Sequence, residues 1–289
     1  MVSPKLIIIA GPTAVGKTTL ALELAADLGG EIISADSMQV YRHMDIGTAK
    51  PSPAERARIR HHLLDVVNPD EPFNAARFAA AAAPVIQSMH QKRTPILIVG
   101  GTGLYIRALL GGLFAGPAAD EGLRRHYRAQ QNIHGRGYLH RELARVDDLA
   151  ARQIAPGDTV RIIRALEVMA LTGRSIVESQ RAHRFGDQQY DGLKIGLEMD
   201  RPSLYERIDR RTQGMVNAGL VEEVRRLLQM GYAPDLKPMQ SLGYKHVLSF
   251  LDGRIDLGEA LRLTARDTRR YAKRQETWFR ADGEVKWYT

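Results

Sequence analysis

The chain is constrained first by Gly11-Pro12-Thr13-Ala14-Val15-Gly16-Lys17-Thr18, which fits the phosphate-binding pattern G-x-x-x-x-G-K-S/T. Its flanks fit as well. Leu6-Ile7-Ile8-Ile9-Ala10 is an unbroken apolar run and reads as a buried parallel strand. Thr18 to Leu28 reads as a helix, with Leu20, Leu24 and Leu28 along one side. In that order, strand, glycine loop and helix aim backbone N–H groups at one concavity, and the helix dipole favours an anion there. Lys17 adds a point charge for terminal phosphates, and Thr18 can offer its hydroxyl to Mg²⁺. The expected ligand carries a di- or triphosphate. The loop does not say whether that ligand is a nucleotide.

Two further stretches belong at the same end of a parallel sheet. Glu31-Ile32-Ile33-Ser34-Ala35-Asp36 reads as a short strand ending in a carboxylate. Ligands of open α/β sheets lie beyond the carboxyl ends of the strands, so Asp36 is a metal ligand, a general base, or a simple cap on the next turn. The polar groups of Ser37-Met38-Gln39-Val40-Tyr41-Arg42 could read a base edge, and Lys50 is either a second phosphate contact or a solvated lysine. Pro95-Ile96-Leu97-Ile98-Val99 is a second apolar strand, followed by Gly100-Gly101-Thr102-Gly103-Leu104-Tyr105. Glycines let a backbone approach a ligand closely, and Thr102 can hydrogen-bond it. No carboxylate closes this strand, which argues against an ATP-hydrolysing motor.

Between these blocks, Pro53–Arg60 reads as a basic helix and His61–Val67 as a strand. Neighbouring side chains on a strand point to opposite faces, so His61 and His62 do not make a metal pair. Phe73–Gln91 reads as an Ala-rich helix that Pro84 should kink or break.

Residues 116–190 lack a strong strand pattern and read as an inserted all-helical domain, with helices over 121–131, 137–148 and 159–171. Arg161 and Arg164 alternate with Ile162, Ile163 and Leu166, giving one basic and one apolar side; Arg174, Arg181, His183 and Arg184 follow. This is a basic binding face or a solvated charged surface. The first sheet would then span 1–115 and 191–289, rejoined by a strand over Lys194–Asp200. Pro202 opens a helix to about Thr212, in which Arg207 and Arg211 share a face and could clamp a diphosphate. Ala218–Met230 is amphipathic, a short helix ends at Leu251, and Glu259–Arg280 is a basic helix closing on Trp278 and Phe279. The fold class is therefore α/β: a parallel sheet flanked by helices, plus the helical insertion.

Composition narrows the partner. A net charge of +8 and a pI near 9.7 suit a polyanion. The chain has no cysteine, which excludes disulfides and thiolate zinc sites and agrees with a cytoplasmic protein. No apolar run is long enough for a bilayer, and the N-terminus has no signal-peptide pattern.

Taken in order, five blocks resemble the bacterial tRNA dimethylallyltransferases (tRNA isopentenyltransferases). They are Gly11–Thr18, Asp36–Arg42, Gly47-Thr48-Ala49-Lys50-Pro51, Gly100–Tyr105, and Lys273-Arg274-Gln275 with Thr277-Trp278-Phe279-Arg280. Arg161–Val168 and Ser241–Lys245 match between them, so the resemblance spans nearly the whole chain. It implies a P-loop NTPase-like core that binds dimethylallyl diphosphate with Mg²⁺, and an insertion that grips the tRNA anticodon stem-loop. It also implies transfer to the adenosine 3′ of the anticodon; a monomer is expected, although the sequence does not fix the oligomeric state. Position by position it makes Asp36 the general base, Thr102 a contact at the transferring group, and Arg211 a diphosphate ligand. The loop residues Gly11, Pro12, Thr13, Ala14, Val15, Gly16, Lys17 and Thr18 bind the diphosphate, with Thr18 on the metal. Ser37, Met38, Gln39, Arg124, Val160, Arg161, Ile162, Ile163 and Arg164 become tRNA contacts beside Asp36 and Thr102. Gly157-Asp158-Thr159 departs from the family's usual pattern before Arg161. Two other readings share the loop: a small-molecule kinase, and a nucleotide-dependent RNA-binding protein without covalent chemistry. The glycine-ended strand and the Asp36–Arg42 block favour the transferase.

Overall fold

The computed structural model describes residues 4–114, 116–183 and 189–289. The described parts of Met1–Leu110 and Gln189–Thr289 form one compact unit, and those of Gly111–Gln188 another.

The first unit is built on six parallel strands: β1 (Lys5–Ala10), β2 (Glu31–Ser34), β3 (His61–His62), β4 (Ile96–Val99), β5 (Asp191–Leu197) and β6 (Lys286–Tyr288), in the order β3-β2-β4-β1-β5-β6. Leu6, Ile8, Ile9, Ile32, Ile33 and Ile96–Ile98 are all buried, as a parallel sheet covered on both faces requires. Register decides where the site lies. Ile9 is opposite Val99 and Ile195, and Ser34 is opposite Val99. The segments that leave β1, β2 and β4 therefore emerge side by side at one edge.

The helices of this unit are α1 (Lys17–Leu28), α2 (Pro53–Arg58), α3 (Ala75–Gln91) and α4 (Gly103–Gly111), then α10 (Arg201–Asn217), α11 (Leu220–Gln229), α12 (Tyr244–Leu251) and α13 (Leu257–Arg280). Local chemistry sets their starts. Ser52 and Glu55 form a capping box at α2, and Asp200 and Asp256 accept from the third residues of α10 and α13. By contrast, α1 starts from Gly16 in the left-handed region with no side-chain cap. Its first amides are left for a ligand.

The expected His61–Val67 strand pairs only at His61 and His62. Leu63 and Asp65 then turn to positive φ, which ends the ladder. Pro84 does not break α3: the helix runs through it to Gln91, and the missing N–H costs one bond in a helix otherwise secured by buried Phe78, Ala82, Ile86 and Met89. The edge strand β6, absent from the sequence reading, pairs Lys286–Tyr288 with Ile195–Leu197. Among the described residues no helix is long and apolar enough to cross a membrane.

The second unit comprises α5 (Glu121–His134), α6 (Tyr138–Val146), α7 (Asp148–Gln153), α8 (Thr159–Thr172) and α9 (Ile176–His183) around Leu139, Leu143, Ile162, Ile163, Leu166 and Val168. Ile162 and Ile163 are thus core residues, and their side chains are not available to an RNA. Glu167 is fully buried. It accepts from the Asp120 amide at 2.7 Å, from Arg124 Nε at 2.8 Å and from Arg164 Nη1. Burial alone would raise this carboxyl; the bonds from Arg124, Arg164 and Asp120 instead hold it below the ordinary range. Arg124 and Arg164 are therefore counter-ions of an internal carboxylate. The α8 side chains that reach solvent at its start are Val160, 80% exposed, and Arg161. Arg184 lies outside the described residues.

Candidate active site

Three loops meet beyond β1, β2 and β4 and enclose a cavity of about 420 Å³. Its walls include Thr13, Gly16, Lys17 and Thr18 of the phosphate loop, Asp36 and Gln39 after β2, Thr48–Pro51, Gly100 and Gly101 after β4, and Arg207 and Arg211 from α10.

The phosphate end is strongly cationic. Lys17 Nζ folds back onto Gly11 O at 3.0 Å and Pro12 O at 2.7 Å. Arg211 Nη1 donates to Thr13 Oγ1 at 2.9 Å. A Cβ on Gly16 would stand 3.8 Å from Arg207 Nη2, so a second guanidinium lies along the loop. Arg210 instead faces Glu206 at the surface. Of the three clustered arginines, the cavity takes Arg207 and Arg211. Burial and the neighbouring Arg211 charge depress the Lys17 ammonium to about 7.

A diphosphate would return Lys17 toward its ordinary value, so binding takes up a proton wherever the free lysine is neutral and the bound one charged. The Lys17 contribution to diphosphate affinity should be constant below about pH 7 and be lost as pH rises above it, by up to about tenfold per unit. Calorimetry in buffers of different ionisation heat should read uptake approaching one proton near pH 8. No uptake there would remove Lys17 as the titrating contact.

At the other end, Asp36 Oδ1 accepts from Met38 N at 2.8 Å and Gln39 N at 3.4 Å. Among the described residues no hydrogen bond engages Oδ2. Thr102 Oγ1 accepts from Ser37 N at 3.0 Å, and Thr102 N donates to Ala35 O. Asp36 and Thr102 are therefore parts of one hydrogen-bonded corner. The Gln39 amide is already engaged: Oε1 accepts from Ser34 Oγ, and Nε2 donates to Thr48 O and Ala49 O. It ties β2 to the Thr48–Pro51 wall. Lys50 is neither solvated nor free for phosphate. Its Nζ is buried against Tyr41 O, Asp45 and Asp65.

The glycines after β4 have a packing cause. A Cβ on Gly101 would lie 1.9 Å from Gln275 Nε2, and one on Gly103 would lie 2.1 Å from the Trp278 ring. Helix α13 docks into this turn through Gln275 and Trp278, with Tyr271 one turn earlier. The Tyr271 hydroxyl lies near Thr102 and Gln275; burial and the nearby Asp36 charge push it up to about 12, so it stays a neutral phenol. The basic character of α13 drew attention to its arginines and lysine, and Tyr271 and Gln275 were given no role. The i, i+4 and i+7 spacing of Tyr271, Gln275 and Trp278 is the helical-face signal that would have found the docking side.

Thr18 is exposed at the start of α1 and lines the cavity. Mg²⁺ takes hard oxygen ligands and uses few protein groups when phosphates are present. The hydroxyl of Thr18 beside a diphosphate site fits that ion. Among the described residues no three acidic or imidazole side chains converge, so most of its ligands would be diphosphate and water oxygens.

A protein-family model described as IPP transferase matches residues 39–282. The chain is 58% identical over 285 residues to the tRNA dimethylallyltransferase 2 of Syntrophus aciditrophicus, covering 99% of this chain and 92% of that protein. It is 52% identical to the tRNA dimethylallyltransferase of Geobacter metallireducens, covering 98% and 92%. Among solved structures it is similar to the full-length tRNA isopentenylpyrophosphate transferase of Bacillus halodurans, at 43% identity and a TM-score of 0.72, covering 99% and 89%. It is also similar to a eukaryotic dimethylallyltransferase acting on tRNA, at 28% identity and a TM-score of 0.80, covering 99% and 73%.

Proposed function

This chain belongs to the IPP transferase family, is a prenyltransferase acting on tRNA, and on that premise we propose how its cavity performs the transfer. The donor is dimethylallyl diphosphate, and the acceptor is the exocyclic amine of the adenosine 3′ of the anticodon. The observation that carries the reading is the cavity itself. A cationic phosphate cradle faces a carboxylate whose Oδ2 no hydrogen bond engages among the described residues, and Thr102 is hydrogen-bonded into the same corner as that carboxylate.

The diphosphate lies on the α1 amides with Lys17, Arg207 and Arg211 around it. These groups stabilise the charge that develops as the C1–O bond breaks and the electron pair leaves with the diphosphate. Mg²⁺, held by Thr18 and the diphosphate oxygens, would supply further neutralisation when bound. The adenine amine is a weak nucleophile because its lone pair is delocalised. As its nitrogen bonds to C1, Asp36 Oδ2 takes the amine proton, while Met38 N and Gln39 N hold Oδ1. Thr102 fixes the turn beside the transferring carbon. The target base must be turned out of the anticodon loop to reach this corner.

Exposed cations supply the backbone contacts. On α13 these are Arg270, Lys273 and Arg274, and on α8 Arg161 stands beside exposed Val160. Ser37 and Met38, which follow Asp36 directly in the chain, meet the turned-out base. We expect stem-loop affinity to fall with a log–log salt slope of about −2 or steeper; a flat response would sink the basic-face assignment.

The acceptor atom is tested with two anticodon stem-loops, one carrying adenosine and one carrying purine riboside at the target position. The second should bind but take no label from the prenyl donor. Label on the purine stem-loop would place the chemistry at another atom.

A further inference from the structure

Gln275 is far along the chain from the phosphate loop, yet its amide joins that loop to the turn after β4. Oε1 accepts from Thr13 N at 2.8 Å, and Nε2 donates to Gly101 O at 2.9 Å. The residue is 5% exposed. Thr13 belongs to the phosphate loop and accepts from Arg211 through its hydroxyl. Gly101 directly precedes Thr102, which is hydrogen-bonded to the residue after Asp36. One primary amide therefore ties the phosphate loop to the turn that carries Thr102.

The demand on this side chain is narrow. It must present an acceptor and a donor on one planar group at a fixed reach. Asparagine is a methylene shorter. Methionine has the length but neither strong function. An ionised glutamate keeps the acceptor for Thr13 N but sets a second lone-pair oxygen against Gly101 O. Gly101 has adapted in turn, because a Cβ there would collide with Nε2 at 1.9 Å.

We propose that Gln275 is a positioning residue for prenyl transfer: its amide sets the spacing between the phosphate loop and the Thr102 turn, and so the alignment of leaving oxygen, transferring carbon and attacking amine. It touches no substrate and acts through Thr13 and Gly101–Thr102. The proposal rests on the prenyl-transfer reading above. Its physical basis is the sensitivity of displacement reactions to geometry, where a misplacement of about 1 Å can lower the rate about 10²-fold.

The test uses full-length wild type, Q275M and Q275E, with labelled dimethylallyl diphosphate, Mg²⁺ and the anticodon stem-loop, and a melting curve for each protein. For Q275M we expect kcat to fall about 30- to 300-fold. The KM for the donor should stay within about threefold, because Lys17, Arg207, Arg211 and the α1 amides remain. Q275E should show a comparable loss near pH 8. Its ratio to wild type at the same pH should recover on acidification toward about pH 5.5, because a protonated carboxyl again offers one donor and one acceptor. A loss of stability alone would not restore kcat with pH in this way. The proposal is overturned if folded Q275M keeps wild-type kcat, if the loss lies wholly in donor KM, or if the Q275E deficit is independent of pH. A wild-type protein that transfers no prenyl group overturns the functional reading and this proposal together; an active wild type matched by an active Q275M overturns this proposal alone.

Discussion

Replacing Asp36 by asparagine will lower kcat for prenyl transfer by about 10²- to 10⁴-fold while leaving stem-loop affinity nearly unchanged. The asparagine is isosteric and keeps an oxygen for Met38 N and Gln39 N, the two bonds that orient the wild-type side chain. The turn and its link through Ser37 N to Thr102 therefore persist. Only the ability of the second oxygen to take a proton is lost. A single-turnover assay with donor and stem-loop both saturating isolates that step. The same variant separates the covalent reading from an RNA-binding protein without chemistry, because binding should survive and transfer should not. Turnover close to wild type would remove Asp36 as the base.

Glu223→Ala will destabilise the fold by about 3–5 kcal/mol. The carboxylate is 2% exposed and accepts from Asp45 N at 2.9 Å, Ile46 N at 2.8 Å, Gly47 N at 3.1 Å and the Tyr244 hydroxyl. Alanine leaves a buried phenol and three half-buried backbone amides without their acceptor, and each unsatisfied buried group costs about 1–3 kcal/mol before relaxation. Relaxation is limited on one side. A Cβ on Gly47 would meet the Tyr244 ring at 2.4 Å, so the loop already touches that ring. The segment fixed this way leads directly into the Thr48–Pro51 wall of the cavity. Denaturant unfolding measures the loss; a change under about 1 kcal/mol would mean that water or a neighbour replaces the carboxylate.

The parts of the site legible in the sequence were those set by local chemistry. A glycine loop between an apolar strand and a helix has few other uses, and Asp36 at a strand end could be placed by the topology of parallel sheets alone. The carboxyl-end register that gathers the three loops follows from β1, β2 and β4 being short apolar runs. What escaped depends on partners distant in sequence. Lys50 looked like a phosphate contact or a surface lysine because nothing nearby shows that Asp65 and a Tyr41 carbonyl close over it. The resemblance made Arg124 and Arg164 tRNA contacts, and their pairing with Glu167 was not legible because that carboxylate sits on what reads as the apolar side of α8. Gln275 and Trp278 were hidden among arginines. A helix with a basic exposed face can bury a polar docking face, and hydrophobic periodicity does not register a glutamine. The glycines after β4 were assigned to ligand approach, whereas α13 fills the space against Gly101 and Gly103. The edge strand Lys286–Tyr288 is three residues long and its pairing is decided wholly by β5.

The most direct measurement is a parallel incubation of the wild-type protein with Mg²⁺ and an anticodon stem-loop carrying adenosine 3′ of the anticodon, with label on dimethylallyl diphosphate in one tube and on ATP in the other. Prenyl label on that adenosine, with no phosphate transferred from ATP, is the predicted result. Phosphate moving from ATP to an acceptor, with no prenyl label on correctly folded RNA, would contradict the account: the phosphate loop would stand, and the roles given to Asp36, Thr102 and Gln275 would fall.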